Sequence, residues 1–283
     1  MIERLSVKGT EWDTHNEVLH VYNPHALTQI AGYVKYQLAI KNKIVHYRGQ
    51  DGIYAKKMYP SIFRANHTNI KQDGIDRLIR IIKEYISVVG ECGAFQTDVK
   101  EYAYEPILQQ YGIKTRWLDL VDNIWVALWF SCYSIYLGPN KASRYANFEK
   151  RNPAKDNNKF AYIFILGFEY DKTGHPGYYS GKSIDVIDLR MAIPSTYIRP
   201  HAQHGLLCKL KGDTNRQPID MSSYIVDVII IRIDDALSWL GDGEMLRVHT
   251  LFPPPTYDLG YAQLLDKSPK GNQDIGNVLM IGS

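Results

Sequence analysis

Ile-Val-Asp-Val-Ile-Ile-Ile-Arg-Ile, residues 225–233, holds an unbroken Val-Ile-Ile-Ile run. Consecutive β-branched side chains of this kind mark a strand at the centre of a sheet, covered on both faces. Further back, Leu206–Leu210, Val186–Leu189 and Phe160–Phe168 also read as strands. Upstream of these the period changes. Residues 25–41 set Leu27, Ile30, Val34 and Leu38 at helical spacing. Residues 74–90 set Ile75, Leu78, Ile79, Ile82, Tyr85, Ile86 and Val89 on one stripe, with Asp73 as the expected N-cap and Gly90 as the expected stop. Helices early and strands late predict an α+β fold with a mixed or antiparallel sheet, and argue against a doubly wound α/β fold.

Three further elements follow from the same reading. Lys43–Tyr47 alternates as a strand that ends in Arg48-Gly49, and a helix over Glu105–Gln110 should stop at Gly112. The apolar stretch from Ile124 to Leu137 follows a short polar turn at Asp122 and reads as a buried core helix. It is shorter than the roughly 20 residues a membrane helix needs, and Ser131 and Ser134 interrupt it, so no membrane partner is expected.

A chain of 283 residues that is 45% hydrophobic can bury a large core. With no internal repeat and no low-complexity tail, it reads as one domain over residues 1–283. The formal net charge of +3 is too small to argue by itself for a nucleic-acid partner. The 21 tyrosines would suit a stacking surface, but tyrosine also fills cores and interfaces. Cys92, Cys132 and Cys208 show no Cys-x-x-Cys spacing and sit among apolar neighbours, which predicts buried free thiols in a reducing compartment and neither a zinc site nor a disulfide framework. The N-terminus mixes charges within its first dozen residues, without the apolar core of a signal peptide, so a cytoplasmic location is expected and the Asn66-His67-Thr68 acceptor sequence has no role.

Between Gly138 and Lys159 lie Lys141, Arg144, Lys150, Arg151, Lys155 and Lys159 against Glu149 and Asp156, with Tyr145 and Phe148 as the apolar anchors. The stretch is too long for an ordinary connection. Residues 139–159 are therefore expected to form a mobile loop or insertion, either a solvated excursion or a basic flap facing a substrate.

Three polar constellations sit at the ends of apolar elements, where a scaffold presents chemistry. They are His46-Tyr47-Arg48-Gly49-Gln50, the run from Gln109 through Gln110-Tyr111-Gly112 and Thr115-Arg116-Trp117-Leu118 to Asp119, and Arg199-Pro200-His201-Ala202-Gln203-His204-Gly205. In order and spacing they resemble the FRG family, named for an aromatic-Arg-Gly motif that Tyr47-Arg48-Gly49 fills here. Tyr59-Pro60-Ser61-Ile62-Phe63-Arg64 and His249-Thr250-Leu251-Phe252-Pro253 are similar to further family segments. The resemblance runs from about residue 28 to residue 265. Gln110 stands where the family usually has His, and Pro254 and Pro255 depart from its C-terminal element.

The residues themselves allow two readings. Arg48 offers a planar, always-charged fork beside a glycine that admits a ligand to the backbone, which suits capture of phosphate or carboxylate. Alternatively Arg48 or Arg116 pairs with Asp119 as a buried strut. The family's comparison with ADP-ribosyltransferases implies an NAD-like nucleotide as ligand. It further implies transfer or hydrolysis of ADP-ribose, with a protein or nucleic acid as a possible acceptor, in a bacterial toxin or phage-defence effector. On that resemblance Tyr47, Arg48, Gly49, Gln110, Tyr111, Thr115 and Arg116 bind the nucleotide, and Asp119, Gln203 and Glu105 are the catalytic candidates. Arg48, Gln110, Thr115, Arg116, Asp119 and Gln203 should then converge on one cleft. The sequence departs from such transferases in having no Gln-x-Glu or Glu-x-Glu pair on a late strand, which favours a non-catalytic ligand-binding or protein-interaction domain. Phosphate-loop, dinucleotide-fingerprint, nucleophile-elbow and zinc-protease motifs are absent from the sequence. His201 and His204 lack a third ligand nearby and read as polar structure.

Overall fold

The computed structural model describes residues 7–66, 71–138, 144–212 and 219–282. The first six residues, the acceptor sequence at His67 and Thr68, and residues 139–143 lie outside them. In chain order the first elements are β1 (Thr10–Asp13), β2 (Val18–Val21), α1 (Pro24–Ala39), β3 (Ile44–Gln50), α2 (Gln72–Glu91), α3 (Glu101–Gln110), β4 (Leu118–Val121) and α4 (Ile124–Cys132). Next come β5 (Tyr133–Leu137), β6 (Tyr145–Lys150), β7 (Phe160–Phe168), β8 (Asp171–Lys172), β9 (Tyr178–Ser180), β10 (Ile184–Asp188), α5 (Leu189–Ala192), α6 (Ile198–Ala202) and β11 (Gly205–Leu210). The last are β12 (Ile225–Arg232), α7 (Ile233–Trp239), α8 (Val248–Leu251), α9 (Leu259–Lys267) and β13 (Met280–Gly282).

Ten strands form one sheet in the order β1-β2-β12-β7-β3-β4-β11-β10-β9-β8, antiparallel except where β12 runs parallel to β2. The fold is α+β, and its chain order is less segregated than the sequence pattern implies: the early strands β3 and β4 are inserted between the late strands β7 and β11. The Val-Ile-Ile-Ile run lies in β12 and is buried between β2 and β7. Alternation along the strands divides the core. Tyr47, Ile163, Ile165, Ile229 and Ile231 face α1 and α4, and Leu207 and Ile187 face α2, α3 and α9. Leu118, Leu120, Phe164, Leu166, Cys208 and Ile230 form a third cluster on the opposite face.

Several local expectations are corrected. The N-cap of α2 is Lys71, with Asp73 in the first turn, and the helix continues through Gly90 to Glu91. The Ile124–Leu137 stretch is a helix only to Cys132. Tyr133 is extended, and Tyr133–Leu137 pairs with β6, because an alternating Tyr-Ser-Ile-Tyr-Leu segment gains more from a cross-strand partner than from one more helical turn. Cys132 and Cys208 are buried, whereas Cys92 is exposed.

The basic stretch after Gly138 is packed structure over its described residues. Strand β6 pairs with β5 on one side and β13 on the other, and Phe148 stacks on Phe252 with ring centroids 4.4 Å apart. Arg151, only 3% exposed, binds Asp156 through Nε at 2.7 Å. Its Nη1 donates to the carbonyls of Ser131 and Phe160, and its Nη2 donates to that of Asn158. A guanidinium that ties three carbonyls and a carboxylate is a structural hub rather than part of a solvated flap.

Candidate functional site

Strand β3 does not end at Arg48-Gly49. It pairs with β7 from Ile44 to Gln50, so the aromatic-Arg-Gly motif lies inside a strand. On its other side β3 meets β4 at the single pair Tyr47↔Val121, while β4 keeps full pairing with β11. The sheet thus splits between β3 and β4. A cleft of about 700 Å³ opens at the split, lined by Arg48, Arg64, Gln109, Gln110, Asp119 and Gln203 on its polar side and by Phe130, Tyr133, Phe148 and Phe252 on its apolar side.

Arg48 spans the split. Its Nη1 donates to the main-chain carbonyl of Asp119 at 2.7 Å, and its buried Nε has no partner among the described residues. The pairing is therefore with the backbone of Asp119 and not with its carboxylate, as a strut would require. Desolvation, then the charge of Arg64, lower the Arg48 guanidinium to about 10, with Asp119 opposing. Arg64 is held by an Nε bond to the Tyr59 carbonyl.

The Asp119 carboxylate accepts from Gln109 Nε2 at 2.7 Å. Burial raises its pKa, against the lowering effects of Arg48, Gln109 and Arg64. Gln109 is fixed in turn, since its Oε1 accepts from Ser61 Oγ and from both the N–H and the hydroxyl of Thr115. Thr115 thus reaches the cleft through Gln109, as a positioning residue. Gln110 Nε2 donates to Gln203 Oε1, and Gln203 Nε2 donates to the Leu251 carbonyl, which joins α3 to α6 and α8.

Three of the expected site residues are placed elsewhere. Arg116 makes a two-pronged pair with Glu105, Nε to Oε1 at 2.9 Å and Nη2 to Oε2 at 2.5 Å, and both line a separate groove with Tyr102, Tyr104 and Lys209. The sequence offered Asp119 as the partner of Arg116, but Glu105 on the preceding helix lies nearer. Tyr111 is fully buried and donates its hydroxyl to Asp258 at 2.6 Å, so it offers no face to a ligand in the cleft. Tyr47 touches the cleft, yet its ring is packed in the core with its hydroxyl on the Ala31 carbonyl, and Phe130, Phe148 and Phe252 supply the aromatic wall instead.

The role expected for Gly49 is also corrected. A Cβ at Gly49 would lie 1.8 Å from the Ala127 carbonyl oxygen and 2.9 Å from Ser131 N, both in the backbone of α4. The glycine admits a helix to the strand; the space it leaves is not open to a ligand.

Several cleft residues are not among the site residues expected from the sequence, Arg64, Phe130, Phe148 and Phe252 among them. Gln109, next to the expected Gln110, and Arg199, in the third constellation, also line the cleft. His204 Nδ1 lies 3.0 Å from Asp122, which Arg190 also binds, away from the cleft lining. Among the described residues there is no group of three or more His, Cys, Asp or Glu suited to a metal ion, and no helix is long and apolar enough to cross a membrane.

Residues 43–136 match the family model of the FRG domain. The matched segment covers about a third of the chain. It supplies Arg48, Gln109, Gln110, Asp119, Phe130 and Tyr133 to the cleft, whereas Phe148, Arg199, Gln203 and Phe252 lie beyond it. No curated protein and no solved structure matches the chain.

Proposed function

We propose that the cleft binds an NAD-like dinucleotide and transfers or hydrolyses its ADP-ribose group. The reading rests above all on Arg48. Its guanidinium is half-buried beside the like charge of Arg64, bonded to a neutral carbonyl, with a buried Nε that has no partner among the described residues. A desolvated cation bonded only to a neutral carbonyl, with the exposed Arg64 beside it, suits a pyrophosphate, which the planar fork grips through two oxygens. The partly exposed rings of Phe130, Phe148 and Phe252 suit a base or nicotinamide. Asp119 is the acidic group beside Arg48, fitted to stabilise a cationic ribose as the glycosidic bond lengthens.

A second reading, a nucleotide-binding module without turnover, is favoured by one observation: Asp119 is already engaged by Gln109, and Gln110 and Gln203 close on each other. Incubating the protein with NAD and following nicotinamide release, alongside calorimetric titration, separates the two. Arg48→Lys keeps the charge and loses the fork, so it should weaken binding by about 1–3 kcal/mol, the scale of a charge-assisted hydrogen bond, with little change in melting temperature. Absence of NAD binding by the unsubstituted protein would overturn both readings, normal binding by this variant would remove Arg48 as the clamp, and binding without nicotinamide release would leave the second.

A further inference from the structure

Arg199 is the most deeply buried cation lining the cleft, 1% exposed at the start of α6. Its guanidinium lies against the rings of Tyr111 and Tyr261, 4.4 Å from each centroid, with Phe252 at 5.3 Å. Nη1 donates to the Gln110 carbonyl at 3.1 Å. The nearby carboxylate of Asp258 is directed to main-chain N–H groups of Arg199 and Tyr261 and to the Tyr111 hydroxyl. Nε and Nη2 are buried and have no partner among the described residues.

Those two nitrogens are the side edge of the guanidinium, whose parallel N–H bonds match the two oxygens of a phosphate or carboxylate. Aromatic faces offset the positive charge but offer no lone pair in the plane of the group. Two desolvated N–H donors without acceptors are therefore a standing cost in the ligand-free protein. The cost sits beside the cleft, because Arg199 lines it with Gln203 and Phe252 and is bonded through Gln110 to the helix that carries Gln109.

We propose that Arg199 is a second oxyanion anchor of the cleft, its Nε–Nη2 edge receiving a phosphate or carboxylate group of a ligand whose first oxyanion sits at Arg48. The proposal rests on the cleft being the ligand site and adds to it that the ligand carries two oxyanion groups. A second arginine on α6 also explains why the cleft draws on residues well beyond the FRG match.

Thermal unfolding of the full chain in inorganic phosphate, pyrophosphate, succinate or NAD, at ionic strength matched with chloride, tests this. The proteins compared are the unsubstituted chain, Arg48→Gln, Arg199→Gln and Arg199→Lys. Pyrophosphate should raise the melting temperature of the unsubstituted protein, and each substitution should weaken its binding at least about 10-fold. Arg199→Lys should fail like Arg199→Gln, because charge without the fork does not rebuild the edge. A response confined to phosphates, or confined to succinate, supports the proposal and identifies the oxyanion. An absent response in the unsubstituted protein, or one unchanged in the Arg199 variants, overturns it, as does failure of both variants to fold, which would make Arg199 a strut. If pyrophosphate binds through Arg199 while NAD does not bind, the NAD reading falls and the anchor stands. If NAD binds equally well to Arg199→Lys, the anchor falls and the NAD reading stands.

Discussion

Gln109 donates its side-chain amide to the Asp119 carboxylate at 2.7 Å while its own carbonyl oxygen is held by Ser61 and Thr115. One amide thereby orients the acid of the cleft and occupies part of it. The link accounts for the short distance between Gln109 and the Thr115-Arg116-Trp117-Leu118-Asp119 run: Thr115 turns back onto the end of α3 to reach Gln109 before β4 begins.

Asp119→Asn should leave the ligand-free fold at least as stable as the unsubstituted protein near neutral pH while abolishing nicotinamide release. Burial raises the folded-state pKa of Asp119, so its ionisation is disfavoured on folding even with Arg48 and Arg64 nearby. The sign follows: its contribution is fully present below the unfolded pKa and is lost as pH rises through the folded one. Urea denaturation across the acid range should therefore show the variant gaining on the unsubstituted protein as pH rises. A variant that loses ground with rising pH would mean that the carboxylate is a net structural charge.

Gly49→Ala should cost roughly 3 kcal/mol or more, since no rotamer change can relieve a Cβ 1.8 Å from a helix carbonyl and the sheet or α4 must shift. Melting of the variant checks this. A near-native melting temperature combined with lost ligand binding would restore the view that this glycine serves the ligand.

Gly49 also shows where sequence reading stops. Its neighbour Arg48 could be singled out because a charged residue stands beside a glycine at the expected end of an apolar strand, and α2 and β12 could be placed because their periods are local. The reason for the glycine is Ala127, on an element that only the folded sheet brings close. The same holds for Arg116, whose partner Glu105 lies on α3 and had been read as a catalytic acid. Composition misled most over residues 144–159, where a row of Lys and Arg looks solvated although Arg151 is buried and fully bonded. The split between β3 and β4, which makes the cleft, leaves no mark on either strand's own pattern.

Arg151→Leu should destabilise the protein by about 3–5 kcal/mol, because it leaves Asp156 and the carbonyls of Ser131, Phe160 and Asn158 without their donor. Arg151→Lys should recover only part of this, as one ammonium cannot reach acceptors arranged for a planar fork. Proteolysis of the two variants should begin within residues 144–159. If both variants unfold like the unsubstituted protein, this segment is not part of the cooperative structure.

Below neutral pH, His46 should limit stability. It is 2% exposed on β3, shares a hydrogen bond of 2.8 Å between Nε2 and the Tyr170 hydroxyl, and has no partner at Nδ1 among the described residues. Burial lowers its pKa to about 4, with the negative charges of Asp122 and Asp188 opposing. The folded state thus stays neutral while the unfolded chain takes up a proton near 6.5. The stabilisation is fully present above 6.5 and is lost as pH falls towards 4, at a limiting slope of about 1.4 kcal/mol per pH unit from this one group. Replacing His46 by Phe, which keeps the ring beside Phe168 and Tyr170, removes the titration and should flatten stability against pH between 6.5 and 4. Denaturant unfolding of both proteins at half-unit pH steps gives the comparison. Parallel curves across that interval would show that His46 accepts its proton inside the folded protein at little cost, and that the acid sensitivity comes from elsewhere.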